Sequence, residues 1–292
     1  MIIGVDIGYS STKTSEGTIF RSQYSVGDSI SECTRIEIDG VSYGIGVGNG
    51  TLDANKINSD LNRVCLFSAL AMSSPADHFQ LVTGLPVGQY EQRKDEFQSA
   101  IEKASSARVY YNGTKRNICI DRVKIYPQGV GALVTQRITG NAIVLDIGSR
   151  TTDIALFEMD GSTRRMVARS TVFVGAFQLY SAAVSAANRI YNLDLQPDCG
   201  EALVRDDLYV YGEQKSKAFL NSLCMDLLDP ICREMDLTFH ASTTPIYLCG
   251  GGAHIFGRYI KNRYGRVSMI ENPQFANANG FRKVGEKMWL LG

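Results

Sequence analysis

One pattern occurs twice in this 292-residue chain: an apolar run that ends in Asp-Ile-Gly and leads into small and hydroxyl residues. The copies are Ile2–Lys13, read as IIGVDIGYSSTK, and Ile143–Asp153, read as IVLDIGSRTTD. Each apolar run is typical of a buried strand, and the Gly-Ser/Thr segment is typical of a tight turn. The repetition predicts two strand–turn–strand hairpins that hold a chain of phosphate groups between them, whereas one copy alone could be an ordinary hairpin.

The residue types in both turns suit phosphate binding. Backbone N–H groups of such a turn can point at a phosphate, and hydroxyl groups add further donors. Lys13 brings a positive charge, while Asp6 and Asp146 bring the carboxylate oxygens that suit Mg²⁺. The candidate phosphate-binding residues are Asp6, Gly8, Ser10, Ser11, Thr12 and Lys13 in the first copy and Gly148, Ser149, Arg150, Thr151 and Thr152 in the second.

The amino-acid composition argues against some classes of function. The 30 Lys and Arg residues balance the 30 Asp and Glu residues, which argues against broad electrostatic binding to nucleic acid. Seven cysteines without a Cys-x-x-Cys pair predict reduced thiols in a cytoplasmic protein. Because neither a secretory leader nor an apolar run of about 18 residues is present, we expect no membrane partner.

The distance between the two copies predicts the domain organisation. Asp6 and Asp146 are 140 residues apart (146 − 6), and each heads a group of strands followed by a helix and a strand. An internal repeat of this size predicts an α/β protein with two related domains flanking a nucleotide cleft. The first domain would be residues 1–137, closed by a C-terminal helix over 271–292, and the second would be residues 138–270.

Local signals predict several elements in detail. The dipeptides Asp39-Gly40 and Asn112-Gly113 lie between alternating segments and predict β-hairpins. Apolar periodicity predicts helices over Gly129–Arg137 and Phe177–Tyr191, and the longest helix over Glu213–Met235.

Five motifs, in one order, resemble those of the actin, heat-shock chaperone and sugar-kinase ATPase superfamily. Within it the chain most resembles the ParM-type actin-like ATPases that segregate bacterial plasmids. The motifs are Asp6–Lys13 and Asp146–Asp153 for phosphate, Tyr126–Leu133 (YPQGVGAL) and Asn272–Gly280 (NPQFANANG) as connecting motifs, and Leu248–Ala253 (LCGGGA) for adenosine. The resemblance implies an actin-like ATPase fold whose two α/β domains are each ribonuclease-H-like.

The resemblance also implies roles for individual residues. Asp6 and Asp146 would hold Mg²⁺ through water, with the first hairpin on the β-phosphate and the second on the β- and γ-phosphates. Gly250, Gly251 and Gly252 would let the backbone approach adenosine, since a Cβ there would clash.

Catalysis would depend on Gln128 and Asp146, the former orienting the attacking water. ParM-like proteins often carry a carboxylate at the position of Gln128 and actins carry Gln, so the identity of any general base stays open. Gly175 would help to shape the phosphate floor or simply start a helix. Lys217 and Glu213 match adenosine contacts poorly and are better explained as a solvated helix face.

The function implied by the resemblance is an ATPase that uses ATP (or GTP) and Mg²⁺ to assemble head to tail with itself. A ParR-like, DNA-bound adaptor protein would link the filament to plasmid DNA, which is then bound only indirectly. The alternatives are a small-molecule kinase with Asp28, Asp53 or Asp77 as its base, or a weakly hydrolysing cell-division or assembly scaffold. A chaperone is not expected, because only 12 residues follow Gly280.

Overall fold

The computed structural model describes residues 1–27, 32–50, 59–160 and 163–290. The chain divides into two compact units, one of Met1–Ile138 with Ile270–Gly292 and the other of Thr139–Met269. Both units combine sheets and helices, as the α/β prediction requires. Within the described ranges, no helix is both long enough and apolar enough to cross a bilayer.

The first unit is built on a mixed sheet with helices on its faces. Its strands are β1 (Ile2–Ile7), β2 (Ser11–Thr14), β3 (Ile19–Arg21), β4 (Gln23–Val26), β5 (Thr34–Ile38), β6 (Val41–Ile45), β7 (Asn49–Gly50), β8 (His78–Leu85), β9 (Ser106–Tyr111) and β10 (Thr114–Pro127). Over the described part, these strands have the order β3-β2-β1-β8-β10-β9-β5-β6-β4-β7. The helices are α1 (Asp60–Ser73), α2 (Val87–Lys103), α3 (Val130–Val134) and α8 (Ala276–Leu290).

Alternation along β1 decides what covers each face of this sheet. Ile3 and Val5 are fully buried in the core on one face, which α1 also covers. Gly4 points to the other face, where a Cβ would overlap the carbonyl of Ala278 in α8. Gly280 allows an equally close crossing, because a Cβ there would overlap the backbone of α3. Small residues on both sides therefore let α8 pack directly on β1 and α3.

The second unit contains a five-stranded sheet and a separate two-stranded hairpin among its described residues. Its strands are β11 (Ala142–Ile147), β12 (Thr152–Asp160), β13 (Thr163–Val172), β14 (Leu208–Val210), β15 (Glu213–Lys215), β16 (Ile246–Cys249) and β17 (Val267–Met269). Its helices are α4 (Ala176–Tyr191), α5 (Gly200–Arg205), α6 (Phe219–Thr238) and α7 (Ala253–Tyr264). The five strands have the order β13-β12-β11-β16-β17, so β11 is central, and all six of its residues are buried.

Most local predictions are confirmed, and two are wrong in their bounds. Asp39-Gly40 and Asn112-Gly113 form tight turns with all four residues at positive φ, as type I′ turns require. The predicted helix over Glu213–Met235 begins only at Phe219, because Glu213–Lys215 pairs with β14 as a strand. The predicted helix over Gly129–Arg137 is reduced to the five residues of α3.

Candidate functional site

The two repeated segments form hairpins with the same register. In β1–β2, Asp6 lies opposite Lys13. In β11–β12, Asp146 lies opposite Asp153. Directly opposed residues of an antiparallel pair place their side chains on the same face. The first hairpin therefore sets a carboxylate beside a cation, whereas the second sets two carboxylates together.

Both turns are closed in the same way by the glycine that follows Asp-Ile. The N–H of Gly8 donates to the carbonyl of Ser11 at 3.0 Å, and the N–H of Gly148 donates to the carbonyl of Thr151 at 2.9 Å. A Cβ on either glycine would lie about as close to that same carbonyl oxygen, at 2.9 and 3.0 Å. Both turns are therefore short, because Ser11 already belongs to β2 and Thr152 to β12.

Asp6 is the centre of a polar network in the first unit. Only 4% of its surface is exposed, and its Oδ1 accepts a hydrogen bond from Nε2 of Gln128 at 2.7 Å. The Nζ atom of Lys13 lies 3.6 Å from Oδ2 of the same carboxylate. The structure thus brings together three of the residues singled out in the sequence, and it orients the Gln128 amide through Asp6.

A small pocket adjoins Gln128 in the first unit. Its walls come from the first turn, the start of α1, the end of β8 and α2. The polar lining consists of Tyr9, Asn62, Gln89 and Gln128, and none of the described lining residues is acidic.

Asp153 is the most strongly perturbed acid of the second hairpin. It is 6% exposed, and its Oδ1 accepts a hydrogen bond from Oγ1 of Thr171 at 2.5 Å. Burial raises the pKa of Asp153 to about 7; the Thr171 hydroxyl opposes this rise, and the negative charge of Asp146 adds to it. Near neutral pH, the Asp153 carboxyl is therefore partly protonated.

Thr12 and Thr152 occupy equivalent positions, and their hydroxyl groups face the protein interior. Both side chains are fully buried. The Thr12 hydroxyl pairs with Oγ of Ser22 at 2.9 Å, and the Thr152 hydroxyl donates to the carbonyl of Val174 at 2.7 Å. The sequence offered these hydroxyls as phosphate donors, but the pleat turns them to the inner face. Only their backbone remains for that role.

The second turn is packed against the start of α4. The N–H of Ala176 donates to the carbonyl of Gly148 at 3.1 Å, and the N–H of Phe177 donates to the carbonyl of Ser149 at 2.8 Å. The side-chain amide of Gln178 donates to the carbonyl of Arg150 at 3.3 Å. Three consecutive carbonyl groups of the turn therefore point towards α4.

This arrangement fixes where the amide groups of the same turn point. In a planar trans peptide the N–H is directed opposite to the C=O of the preceding residue. The N–H groups of Ser149, Arg150 and Thr151 are therefore directed away from α4. Successive amides that point one way form an anion-binding concavity, and the positive end of the 16-residue α4 lies behind them.

Glycines permit the close packing around this turn. A Cβ on Gly175 would lie 2.6–2.7 Å from the backbone of Ser149 and Arg150. Gly250, at φ +83°, has no room for a Cβ, which would overlap the Ile147 carbonyl and a carboxylate oxygen of Asp146. The adenosine-type glycine run thus packs on the aspartate of the second hairpin.

The other two glycines of that run differ from each other. Gly252 has no room for a Cβ beside the Ile147 side chain, and its N–H donates to the Ile147 carbonyl at 2.9 Å. Around Gly251, by contrast, nothing lies within 4 Å of the Cβ position. Gly251 is therefore the member of the run with open space in front of it.

The two connecting motifs meet in the first unit. Gly129, at φ +75°, opens α3, and its N–H donates to Oδ1 of Asn277 in α8 at 2.7 Å. Cβ atoms on Gly131 would reach within 2.6 Å of the Phe281 ring. This contact holds α3 against α8 next to Gln128, which the sequence places at the start of the first connecting motif.

Several weaker candidates fall elsewhere. Glu213 lies on β15, and Lys217 donates from Nζ to carbonyls at the end of α5, at 2.5–3.2 Å, so it caps that helix. Asp77 is an exposed carboxylate 3.9 Å from Arg116. Asp28 and Asp53 lie outside the described residues.

Two residues of this region were not predicted from the sequence. The pairing of Asp153 with Asp146 could have been predicted from the sequence, because the two residues lie the same number of positions before and after the short turn. The role of Gln178 was not, because its contact with Arg150 spans 28 residues of sequence.

Comparisons with known proteins identify the fold. Residues 4–131 match the family of actin-like protein N-terminal domains. An archaeal actin homologue of Thermoplasma acidophilum is 25% identical to this chain, over 98% of this chain and 99% of the homologue. Solved structures give the same result. An archaeal actin homologue in complex with ADP has a TM-score of 0.82, and a ParM filament subunit from Clostridium botulinum has 0.80.

Both structures are 22% identical to this chain, and each match covers 98% of this chain and 99% of the other. The resemblance inferred from the five motifs and the predicted fold class are therefore confirmed. The chain has an actin-like fold with two sheet-containing domains, and its residues 4–131 match the model of the actin-like protein N-terminal domain family.

Proposed function

We propose that this protein is an actin-like ATPase that binds a nucleotide through both hairpins and assembles into filaments with copies of itself. The observation that carries the proposal is the second turn, whose amides at Ser149, Arg150 and Thr151 are directed together away from α4. This is the backbone arrangement that binds phosphate. Structures of a ParM filament and of an ADP-bound actin homologue with the same fold support it.

The residues present also fit a nucleotide-bound Mg²⁺. The ion keeps most of its waters and takes its other ligands from phosphates and one or two carboxylates. Asp6 and Asp146 are buried carboxylates near the ends of β1 and β11, and both would help to hold the hydrated ion. Among the described residues, no three or more His, Cys, Asp or Glu side chains form a metal site. When bound, Mg²⁺ would neutralise phosphate charge.

In the hydrolysis step, this chain would mainly supply positioning. Gln128 is held by Asp6, and its amide would orient the attacking water, since phosphate hydrolysis depends on orientation and charge stabilisation more than on covalent chemistry. Lys13 and the turn amides would stabilise the phosphate charge. The two units would act as the two domains of a nucleotide switch, in which the γ-phosphate favours the assembling state.

Head-to-tail assembly of such subunits produces a filament, because a heterologous contact that does not close repeats indefinitely. By analogy with ParM, we propose that the filament segregates plasmid DNA through a DNA-bound, ParR-like adaptor. The balanced net charge is consistent with indirect contact to DNA.

Right-angle light scattering with phosphate release in the same sample tests this function. After Mg-ATP is added to micromolar protein, we expect scattering to rise and then to decay as phosphate appears. Parallel runs with Mg-GTP determine the nucleotide preference. Flat scattering without phosphate release would contradict the proposal and favour a scaffold that awaits a partner. ADP formation that requires an added small-molecule acceptor and releases no free phosphate would indicate a kinase.

A further inference from the structure

The side chain of Gln178 links three backbone groups around the second turn. Its Oε1 accepts a hydrogen bond from the N–H of Gly175 at 2.9 Å. Its Nε2 donates to the carbonyl of Phe173 at 3.2 Å and to the carbonyl of Arg150 at 3.3 Å. Because an oxygen must face the Gly175 N–H, the amide orientation is determined, and both donor hydrogens have acceptors.

The contact with Arg150 differs in kind from the other two links between the turn and α4. Gly148 and Ser149 are held by backbone N–H groups of α4, which any residue except proline would supply. The Arg150 carbonyl is held by a side chain, so this link depends on residue identity. The same peptide plane carries the N–H of Thr151, and turning the carbonyl towards Gln178 turns that N–H the opposite way.

We propose that Gln178 is a positioning residue of the phosphate site, which aims the Thr151 amide by holding the Arg150 carbonyl against α4. The proposal rests on the proposed function, since it assigns the second turn to phosphate. The first hairpin has a different solution: the carbonyl of Ser10 is held by the backbone N–H of Ser22 at 2.9 Å. Among the contacts described for the two turns, a side-chain amide therefore holds a turn carbonyl only in the second turn.

The substitution Gln178→Met tests the amide separately from packing, because Met has a similar length, suits a helix and makes no comparable hydrogen bonds. The matched control is Gln98→Met. Like Gln178, Gln98 is a half-buried glutamine on a helix, but its side chain bonds only to Glu102 among the contacts described, and it lies far from the second turn in the chain. Binding of Mg-ADP and Mg-ATP to the full chain is measured by calorimetry, and amide hydrogen exchange is followed over residues 148–151. If the methionine variant does not fold, Gln178→Glu replaces it in the same measurements. This variant keeps the acceptor for the Gly175 N–H and loses both donor hydrogens.

We expect Gln178→Met to weaken nucleotide binding about tenfold and to accelerate exchange over residues 148–151, with both properties unchanged in Gln98→Met. A thermal midpoint within about 3 °C of the parent protein would exclude general unfolding as the cause. Unchanged affinity in Gln178→Met, or weaker binding without faster exchange in the turn, overturns the proposal. If the unsubstituted protein binds no nucleotide, the proposed function fails, and the exchange measurement alone then decides whether Gln178 positions the turn.

Discussion

The hairpins of the two units have the same backbone register and opposite charge arrangements. Asp6 is opposed by Lys13 and receives a hydrogen bond from Gln128, so its negative charge is compensated by its own unit. Asp146 is opposed by Asp153, whose pKa is raised to about 7 by burial and by the neighbouring carboxylate. A repeated backbone thus supports two electrostatic arrangements: an acid opposite a cation, and an acid opposite a second acid whose pKa is raised.

The first prediction compares the two aspartates directly. Asp6→Asn and Asp146→Asn should each lower Mg-ATP turnover about a hundredfold, because each removes a carboxylate proposed to orient hydrated Mg²⁺. Their stabilities should change in opposite directions, since Asp6→Asn leaves Lys13 without its counter-charge and Asp146→Asn relieves the repulsion of Asp153. Steady-state phosphate release and thermal melts measure both effects. Normal turnover in the Asp146→Asn variant would show that Asp146 does not belong to the Mg²⁺ site.

The second prediction concerns the glycine that packs on Asp146. Gly250→Ala should lower the free energy of unfolding by about 2–3 kcal/mol, because its Cβ has no room and its φ of +83° disfavours alanine. Gly251→Ala is the matched control and should cost less than about 1 kcal/mol, since its Cβ position is open. Urea unfolding measures both values. Equal losses in the two variants would contradict the close approach at Gly250.

The third prediction uses the raised pKa of Asp153. The folded state holds the proton to about pH 7, while the unfolded state releases it near the ordinary value of 3.8. The free energy of unfolding therefore falls as the pH rises from about 4 to 7 and stays low above that. Asp153→Asn should remove this loss and stabilise the protein by up to about 4 kcal/mol at pH 8, with little effect at pH 4. Melts without Mg²⁺ test it; a pH-independent difference would refute it.

The fourth prediction addresses the residue that distinguishes the surroundings of Asp6. Gln128→Ala should slow hydrolysis about tenfold or more, while nucleotide affinity changes little, because the amide is proposed to orient water and not to bind phosphate. Filaments should then last longer in the light-scattering assay. Gln89→Ala, in the same pocket but without the Asp6 contact in the described structure, is the control. Unchanged hydrolysis in Gln128→Ala would reduce Gln128 to a structural partner of Asp6.

The smallest expected effect tests where the two hairpins are alike. Thr12→Val and Thr152→Val each remove a buried hydroxyl that has a hydrogen-bond partner, so each should cost about 1 kcal/mol of stability. Neither should alter nucleotide affinity, because both hydroxyls face the interior. Calorimetric titration with Mg-ADP checks this. A clear loss of Mg-ADP affinity in either variant would show that the hydroxyl removed does contact the phosphate.

The two hairpins also show which structural features can be predicted from sequence patterns. The two Asp-Ile-Gly segments, the Gly-containing turns and the apolar strands were predictable, because strand alternation and turn chemistry are local. The start of α6 was not, since Glu213–Lys215 consists of polar residues that also suit a helix, and only pairing with β14 makes that segment a strand. The burial of Thr12 and Thr152 depends likewise on which face of the pleat meets the core.

The sequence by itself determined the repeated hairpins, the order of the five motifs and therefore the actin-like fold, because these depend on residue type and spacing. The tertiary structure alone decided which groups act together. It brought Gln128 to Asp6 across 122 residues and Gln178 to the turn carbonyls, and it buried Asp153 next to Asp146. Hydrogen bonds and pKa values depend on distance and solvent exclusion, and neither is a property of a linear pattern.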